Sequence, residues 1–261
     1  MNCTLKNMDK KIAIITGVSR LKGIGRATCL ELARRGYDIF FTYYLPYDRQ
    51  MSWGVADNEP EQILEEIGAL GVRCSCMELD LTEEDAIPKL MDVVTTQLGA
   101  PLVLVNNATY STDTSVESLT ASELDKHYAL NVRATTLLTL HFIRTFAFEK
   151  QGRIINLTSG QSLGPMPGEI AYAITKGAIE TLTYTLASEV ASKGITINAV
   201  NPGPNDTGWM NPELEDQLLA QSPMGRVGRQ TDTAKLIGFL ASEEAEWVTG
   251  QLIHSEGGFK R

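Results

Sequence analysis

Tyr172 and Lys176 stand four residues apart, so on a helix they share one face about one turn from each other. A free phenol titrates near pH ~10, too high for proton exchange at neutrality. A neighbouring ammonium favours the phenolate, and a shift of ~3 units corresponds to about 4 kcal/mol. Such a shift brings Tyr172 toward the operating pH, where general acid–base catalysis works best. Ser159, thirteen residues upstream of Tyr172, adds a hydroxyl. Together the three residues could polarise a carbonyl and exchange a proton with it. The same tyrosine and lysine could also be a core phenol with a lysine stem laid over it, so the rest of the chain has to decide.

The elements that would position them alternate regularly. Lys11–Thr16 reads as a buried strand, and 24–35 as a helix ended by Gly36. A second strand covers 39–44, and the polar stretch 45–60 reads as an exposed loop. Helix is expected over 61–70, strand over 72–79, helix over 83–97, and a short apolar strand over 102–106. That last run suits a parallel strand covered on both faces. Thr120-Ala-Ser-Glu123 has the pattern of a capping box and opens a long helix to about Phe148. Strand 153–157, helix 171–191, strand 195–200, a helical segment near 231–241 and a final strand 251–254 complete the chain. Strands separated by helices predict a single α/β domain over 1–261. Its architecture would be a Rossmann-type, doubly wound parallel sheet with helices on both faces, preceded by an extension over 1–10.

Bulk properties exclude several classes. The chain has 261 residues, a net charge of −9 and no Lys/Arg-rich run, which argues against a nucleic-acid surface. Cys3, Cys29, Cys74 and Cys76 form no Cys-x-x-Cys pair and read as reduced thiols of a cytoplasmic protein. His127, His141 and His254 lie far apart and suggest no metal site. The first residues lack the apolar core of a signal peptide, and no apolar run is long enough to span a bilayer. Neither a nucleic-acid nor a membrane partner is expected.

Directly after the first strand comes Thr16-Gly17-Val-Ser19-Arg20-Leu-Lys22-Gly23-Ile24-Gly25. In a strand–turn–helix context, glycines let the backbone approach a pyrophosphate, and the helix start offers free N–H groups and a positive dipole end. The Gly-Lys-Ser/Thr ending of a P-loop is missing.

Gly17…Gly23-Ile24-Gly25, Asn106-Asn107-Ala108, Asn131, Ser159, Tyr172/Lys176 and Pro202-Gly203 occur in one order along nearly the whole chain. In this the chain resembles the short-chain dehydrogenase/reductase family. Gly152 through Ser159 and Asn201 through Thr207 make it most similar to the 3-oxoacyl-(acyl-carrier-protein) reductase group. Two departures stand out. Five residues rather than three separate the first two glycines, which leaves the placement of Arg20 open. The family's Asn-Asn-Ala-Gly ends here in Thr109, where a small structural adjustment is expected.

The resemblance implies a set of roles. Tyr172 would give a proton to the substrate oxygen, Ser159 would bond that oxygen, and Lys176 would lower the Tyr172 pKa and bind the nicotinamide ribose. Asn131 would hold a water that relays protons to the lysine. Gly17, Ser19, Arg20, Gly23, Ile24 and Gly25 would hold the cofactor phosphates, and Asp80 and Leu81 the adenine. A buried or capping role for Asp80 is open. Asn107 and Ala108 would line the nucleotide near its ribose, Pro202 and Gly203 would flank the nicotinamide, and Thr207 would bond its carboxamide. NAD-preferring members carry an acid at the end of the second strand, where this chain has Tyr43 or Tyr44; Asp48 falls several residues late. Ser19, Arg20 and Lys22 can instead meet a 2′-phosphate, so NADP(H) is the expected cofactor.

The segments 160–170 and 208–221, the second a substrate lid, offer Gln161, Leu163, Met166, Trp209, Met210 and Leu218. This apolar set suits an acyl, aromatic or alicyclic ketone, although Trp209 and Met210 could equally pack a lid. The expected reaction is NADPH-dependent reduction of a small-molecule ketone to an alcohol, a 3-oxoacyl thioester being one candidate. An NADP(H)-binding sensor without turnover and an NAD-dependent alcohol dehydrogenase remain alternatives. The resemblance also implies a homodimer or homotetramer. The apolar breadth of the long helix, with Leu137, Leu138, Leu140, Phe142, Ile143, Phe146 and Phe148, agrees with a subunit interface.

Overall fold

Strand β1 (Ile12–Ile15) is apolar at every position and fully buried, as expected where both faces of a parallel sheet are covered. Its residues alternate between two cores. Ala13 and Ile15 pack with α1 (Ile24–Arg34), α3 (Glu59–Gly68) and α9 (Gln230–Ala241); Ile12 and Ile14 pack with α4 (Ala86–Gln97), α6 (Thr135–Thr145) and α7 (Ile170–Val190). Each fully buried Ile or Leu contributes roughly 1.5–3 kcal/mol through lost contact with water. The computed structural model describes residues 11–149 and 151–260. The expected extension over 1–10 and Cys3 lie outside the described residues.

The remaining strands are β2 (Asp38–Tyr43), β3 (Cys74–Glu78), β4 (Val103–Asn106), β5 (Gly152–Leu157), β6 (Ile195–Asn201) and β7 (Leu252–His254). They form one sheet in the order β3-β2-β1-β4-β5-β6-β7, with every pairing parallel. This is the doubly wound single domain expected from the alternation of elements. The order reverses between β1 and β4, and open α/β sheets bind ligands beyond the carboxyl ends of the strands at such a switch. The loops after β1, β4, β5 and β6 therefore converge on one cleft.

Four details differ from the sequence expectation. The stretch 45–60 is not all loop: Pro46 enters the first turn of a short helix, α2 (Leu45–Gln50). A further helix, α8 (Pro212–Ala220), is capped by Asn211 Oδ1, which accepts from Leu214 N at 2.8 Å. The long helix begins as α5 (Ala121–His127), widens into a π-helical segment over Tyr128–Ala134, and resumes as α6. It ends at Thr145, and Phe146 and Phe148 fold back onto the core. Much of the apolar breadth read from its sequence is thus satisfied within the chain: Leu138 and Phe142 are buried, and Leu137 is 48% exposed. Only half of the expected capping box forms. Thr120 Oγ1 accepts from Glu123 N, while the Glu123 carboxylate accepts from Tyr110 and Thr112 hydroxyls.

Candidate active site

The turn after β1 is built around close backbone approach. Gly17 has φ +72°, and a Cβ there would lie 2.6 Å from Ala108 Cα, so neither conformation nor space admits another residue. The Asn107 amide donates to Thr16 O at 2.8 Å and to Gly17 O at 2.9 Å, and Thr16 Oγ1 accepts from Asn107 N and Ala108 N. Asn107 therefore holds the turn in shape with its side chain, leaving its backbone and Ala108 at the cleft. The two extra residues close as a tight bend: Gly23 N donates to Arg20 O at 3.0 Å, and Leu21 N donates to Glu59 Oε2 at 2.6 Å. Helix α1 starts at Gly23 with no side-chain cap and no acid in its first turn. Its free N–H groups and dipole suit a pyrophosphate, so the residues fit a dinucleotide.

Arg20, whose placement the longer turn left open, is held from three sides. Its Nε lies 2.9 Å from Asp48 Oδ1, its Nη1 donates to Thr207 O at 2.6 Å, and its guanidinium sits 5.0 Å from the Trp53 ring centre. Asp48, late in sequence, is brought back to the turn by α2. Lys22 is exposed beside Gly208. Ser19 is buried, and its Oγ accepts from Tyr44 N. At the end of β3, Asp80 Oδ1 accepts from Thr82 N and Thr82 Oγ1, and the Asp80 carboxylate meets the Tyr44 hydroxyl. Asp80 thus closes a local turn rather than capping a helix, since the N-cap of α4 is Asp85, and Leu81 packs into the core. Gly203, with φ +64°, follows Pro202, and its N–H donates to Asn201 Oδ1.

Helix α7 carries the reactive pair. The Tyr172 hydroxyl bonds the Ser159 side chain. Lys176 is buried, donates from Nζ to Leu157 O at 2.9 Å, and stands 5.4 Å from the Tyr172 ring centre. The expected lowering of the Tyr172 pKa does not follow from this geometry. Burial of the phenol, with the nearby Glu169 carboxylate, raises it above the ordinary range against the opposing Ser159 hydrogen bond. Burial lowers Lys176 to about 8. The ammonium is spent on a carbonyl, and the price of desolvation falls on both groups. Thr158 cannot take the place of Ser159, because its Oγ1 faces Lys176 O and Glu180 Oε1. Gln161 Nε2 also donates to Glu180 Oε1, at 2.5 Å.

Asn131 lies in the π segment and is buried with both ends of its amide engaged. Its Oδ1 accepts from Tyr110 N at 2.7 Å and Thr109 Oγ1 at 3.1 Å; its Nδ2 donates to Tyr110 O at 2.8 Å and Thr175 Oγ1 at 3.0 Å. Thr109, the residue in place of the family glycine, thus gains a bond. One side chain ties the loop after β4 to the helix that carries Tyr172 and Lys176. A π-helical widening gives the room, as such segments do at functional sites.

Sequence reasoning missed the far wall. From α2, Tyr47 donates to Ser111 O at 3.1 Å and accepts from Ser111 N at 3.2 Å, with its ring 5.5 Å from that of Tyr110. The polar character of 45–60, with its two prolines and a glycine, signalled a loop and concealed this. On the opposite side, Thr114 pairs with Gly168 and Ile170 and fixes the segment ahead of α7. No residue of α8 is buried, and Trp209 is 42% exposed, its indole N–H donating to Asn205 O. The described residues hold no cluster of three metal-ligating side chains, and no described helix is long and apolar enough to cross a membrane.

A family model described as enoyl-(acyl carrier protein) reductase matches residues 17–260. The chain is 47% identical over 259 residues to an uncharacterized oxidoreductase of Bacillus subtilis, covering 98% of this chain and 100% of that one. It is 36% identical over 251 residues to a 3-oxoacyl-(acyl-carrier-protein) reductase of Staphylococcus epidermidis, covering 95% and 98%. Among solved structures it superposes with TM-score 0.84 on a short-chain dehydrogenase of Burkholderia cenocepacia J2315 in complex with NADP. That chain is 28% identical, with 95% of this chain and 97% of that one covered.

Proposed function

The chain belongs to the short-chain dehydrogenase/reductase family of oxidoreductases, and from that premise we propose that it reduces a ketone to an alcohol with NADPH, Tyr172 being the proton donor. The observation that carries the proposal is the convergence of Ser159, Tyr172 and Lys176 beside the Asn131 tie. A bound nicotinamide cofactor would supply the hydride to the carbonyl carbon. Ser159 then donates a hydrogen bond to the carbonyl oxygen, a contribution that grows as negative charge develops there. Tyr172 gives its proton to the same oxygen. Its raised pKa keeps the phenol protonated at neutral pH, so the proton is in place but is released only as the phenolate is stabilised. Lys176, charged below about 8, stabilises the phenolate left behind. Asn131 acts as a positioning residue, holding both backbone groups of Tyr110.

NADP(H) is supported by tyrosines rather than an acid at the end of β2, by Ser19, Arg20 and Lys22 at the turn, and by the NADP held in the Burkholderia relative. The Asp48 carboxylate beside Arg20 is the one observation that favours the NAD-dependent alternative. The Staphylococcus relative makes a 3-oxoacyl thioester a substrate to test. The test is NADPH oxidation against 3-oxoacyl thioesters, cyclic ketones, quinones and aldehydes, by wild type and Tyr172→Phe. The proposal expects turnover of at least one class and a loss of about 10²–10⁴ in the variant. Near-normal turnover by Tyr172→Phe would refute it.

We further place the chain in the cytoplasm as a homodimer or homotetramer. Tyr184 on α7 is 77% exposed, and Trp247, shortly ahead of the edge strand β7 in sequence, is 95% exposed. Light scattering should give twice or four times the mass of one chain; a monomer at micromolar concentration contradicts the assembly.

A further inference from the structure

We infer that Asp48 weakens the preference for NADP(H) by competing with the adenosine 2′-phosphate for Arg20. This rests on the preceding assignment of Ser19, Arg20 and Lys22 to that phosphate. Arginine binds a phosphate best through two parallel N–H groups, and the edge formed by Nε and one terminal nitrogen is one such fork. In this chain that Nε is already 2.9 Å from Asp48 Oδ1, and Nη1 is given to Thr207 O at 2.6 Å. Trp53 secures the arrangement twice, by donating from its indole to Asp48 Oδ1 at 3.0 Å and by lying 5.0 Å beneath the guanidinium. The side chains of Arg20 and Asp48 are 17% and 9% exposed, so water screens the pair poorly.

The charges decide the direction. Arg20 and Asp48 sum to zero, so an incoming phosphate meets a neutralised arginine, and only exposed Lys22 adds a cation on this turn. To take the Arg20 fork, the phosphate must either displace the carboxylate or lie beside it as a like charge in a poorly hydrated place. NADH carries no 2′-phosphate and makes no such demand. Asp48 therefore acts against NADPH alone. No short signal marks it in the sequence, because α2 rather than the end of β2 delivers it to the turn.

Calorimetric dissociation constants for NADPH and NADH, measured on the full chain, test this with wild type, Asp48→Asn, Arg20→Ala and the double variant. Asparagine keeps the shape and an oxygen for Trp53 but removes the charge. Asp48→Asn should tighten NADPH at least about tenfold and leave NADH within about twofold, and the gain should vanish with Arg20→Ala. An unchanged NADPH-to-NADH ratio overturns the inference. Weaker NADPH binding does so too, since Asp48 would then be positioning Arg20. Weaker NADH binding likewise overturns it, since Asp48 would then be accepting from the ribose. Arg20→Ala with no effect on NADPH removes the phosphate assignment itself, whereas a loss there with a silent Asp48→Asn removes only the role of Asp48. Should Asp48→Asn fail to fold, Trp53→Phe breaks one hold on the carboxylate and keeps an aromatic ring. It should tighten NADPH in the same direction by a smaller factor, and no change or a loss would contradict the inference.

Discussion

Ser159 and Thr158 are adjacent hydroxyls with opposite fates. Ser159 bonds Tyr172, whereas Thr158 is committed to Glu180 and the Lys176 carbonyl. Ser159→Ala is therefore expected to lose a large part of the rate, on the order of 10²-fold as for removal of an oxyanion donor, with cofactor affinity intact. Steady-state kinetics beside calorimetry separates the two, and a loss under threefold would mean that Thr158 substitutes after all. The second residue-scale prediction concerns pH. Lys176 is lowered to about 8, so its charge is present below that value and lost above it, well before an ordinary lysine at ~10.4. Tyr172, raised by burial, stays protonated throughout. Reduction should slow as pH rises through about 8, and a profile flat to pH ~10 would contradict the assignment. That Tyr172 and Lys176 share one helix face was legible from spacing. Their pKa values were not, because spacing reports neighbours and says nothing of desolvation, which here outweighs the neighbour.

At the scale of elements, the site depends on the π segment that interrupts the long helix. Asn131 makes four hydrogen bonds from inside it, and Asn131→Ala would strand the Tyr110 backbone groups and Thr175 in a buried place. The expected cost is about 1–3 kcal/mol of stability, read as a lowered melting temperature, together with a lower kcat. A variant that melts like wild type would show that water replaces the amide without loss. Asparagine is a poor residue for a helix interior, but a helical period cannot report a widening of that period. The same limit hid α2. Its six residues are too few for a periodic pattern, and Pro46 opens a helix as readily as it breaks one. Yet α2 brings Tyr47 to Ser111 and Asp48 to Arg20, two of the contacts that shape the cleft. The glycine turn was legible because its chemistry is local, and the bend made by its two extra residues was not, because Glu59 on α3 anchors it from a distance.

For the whole molecule, alternation was enough. Apolar runs separated by amphipathic helices dictate a parallel sheet covered on both faces, and the two cores divide the residues of β1 strictly by parity. The switch in strand order then gathers the loops after β1, β4, β5 and β6 at the carboxyl ends of the strands, beside the helices that carry Asn131, Tyr172 and Lys176. The long helix was read as too apolar for one protein, but the return of Phe146 and Phe148 to the core accounts for part of that surplus. The central claim is that this cleft transfers hydride under proton donation from Tyr172. Incubation of the full chain with NADPH deuterated at the transferred position and with whichever ketone is turned over tests it most directly, by mass spectrometry of the product. The account predicts one deuterium on the carbinol carbon with wild type and almost none with Tyr172→Phe in the same time. Deuterated alcohol formed at equal rates by both proteins would contradict it.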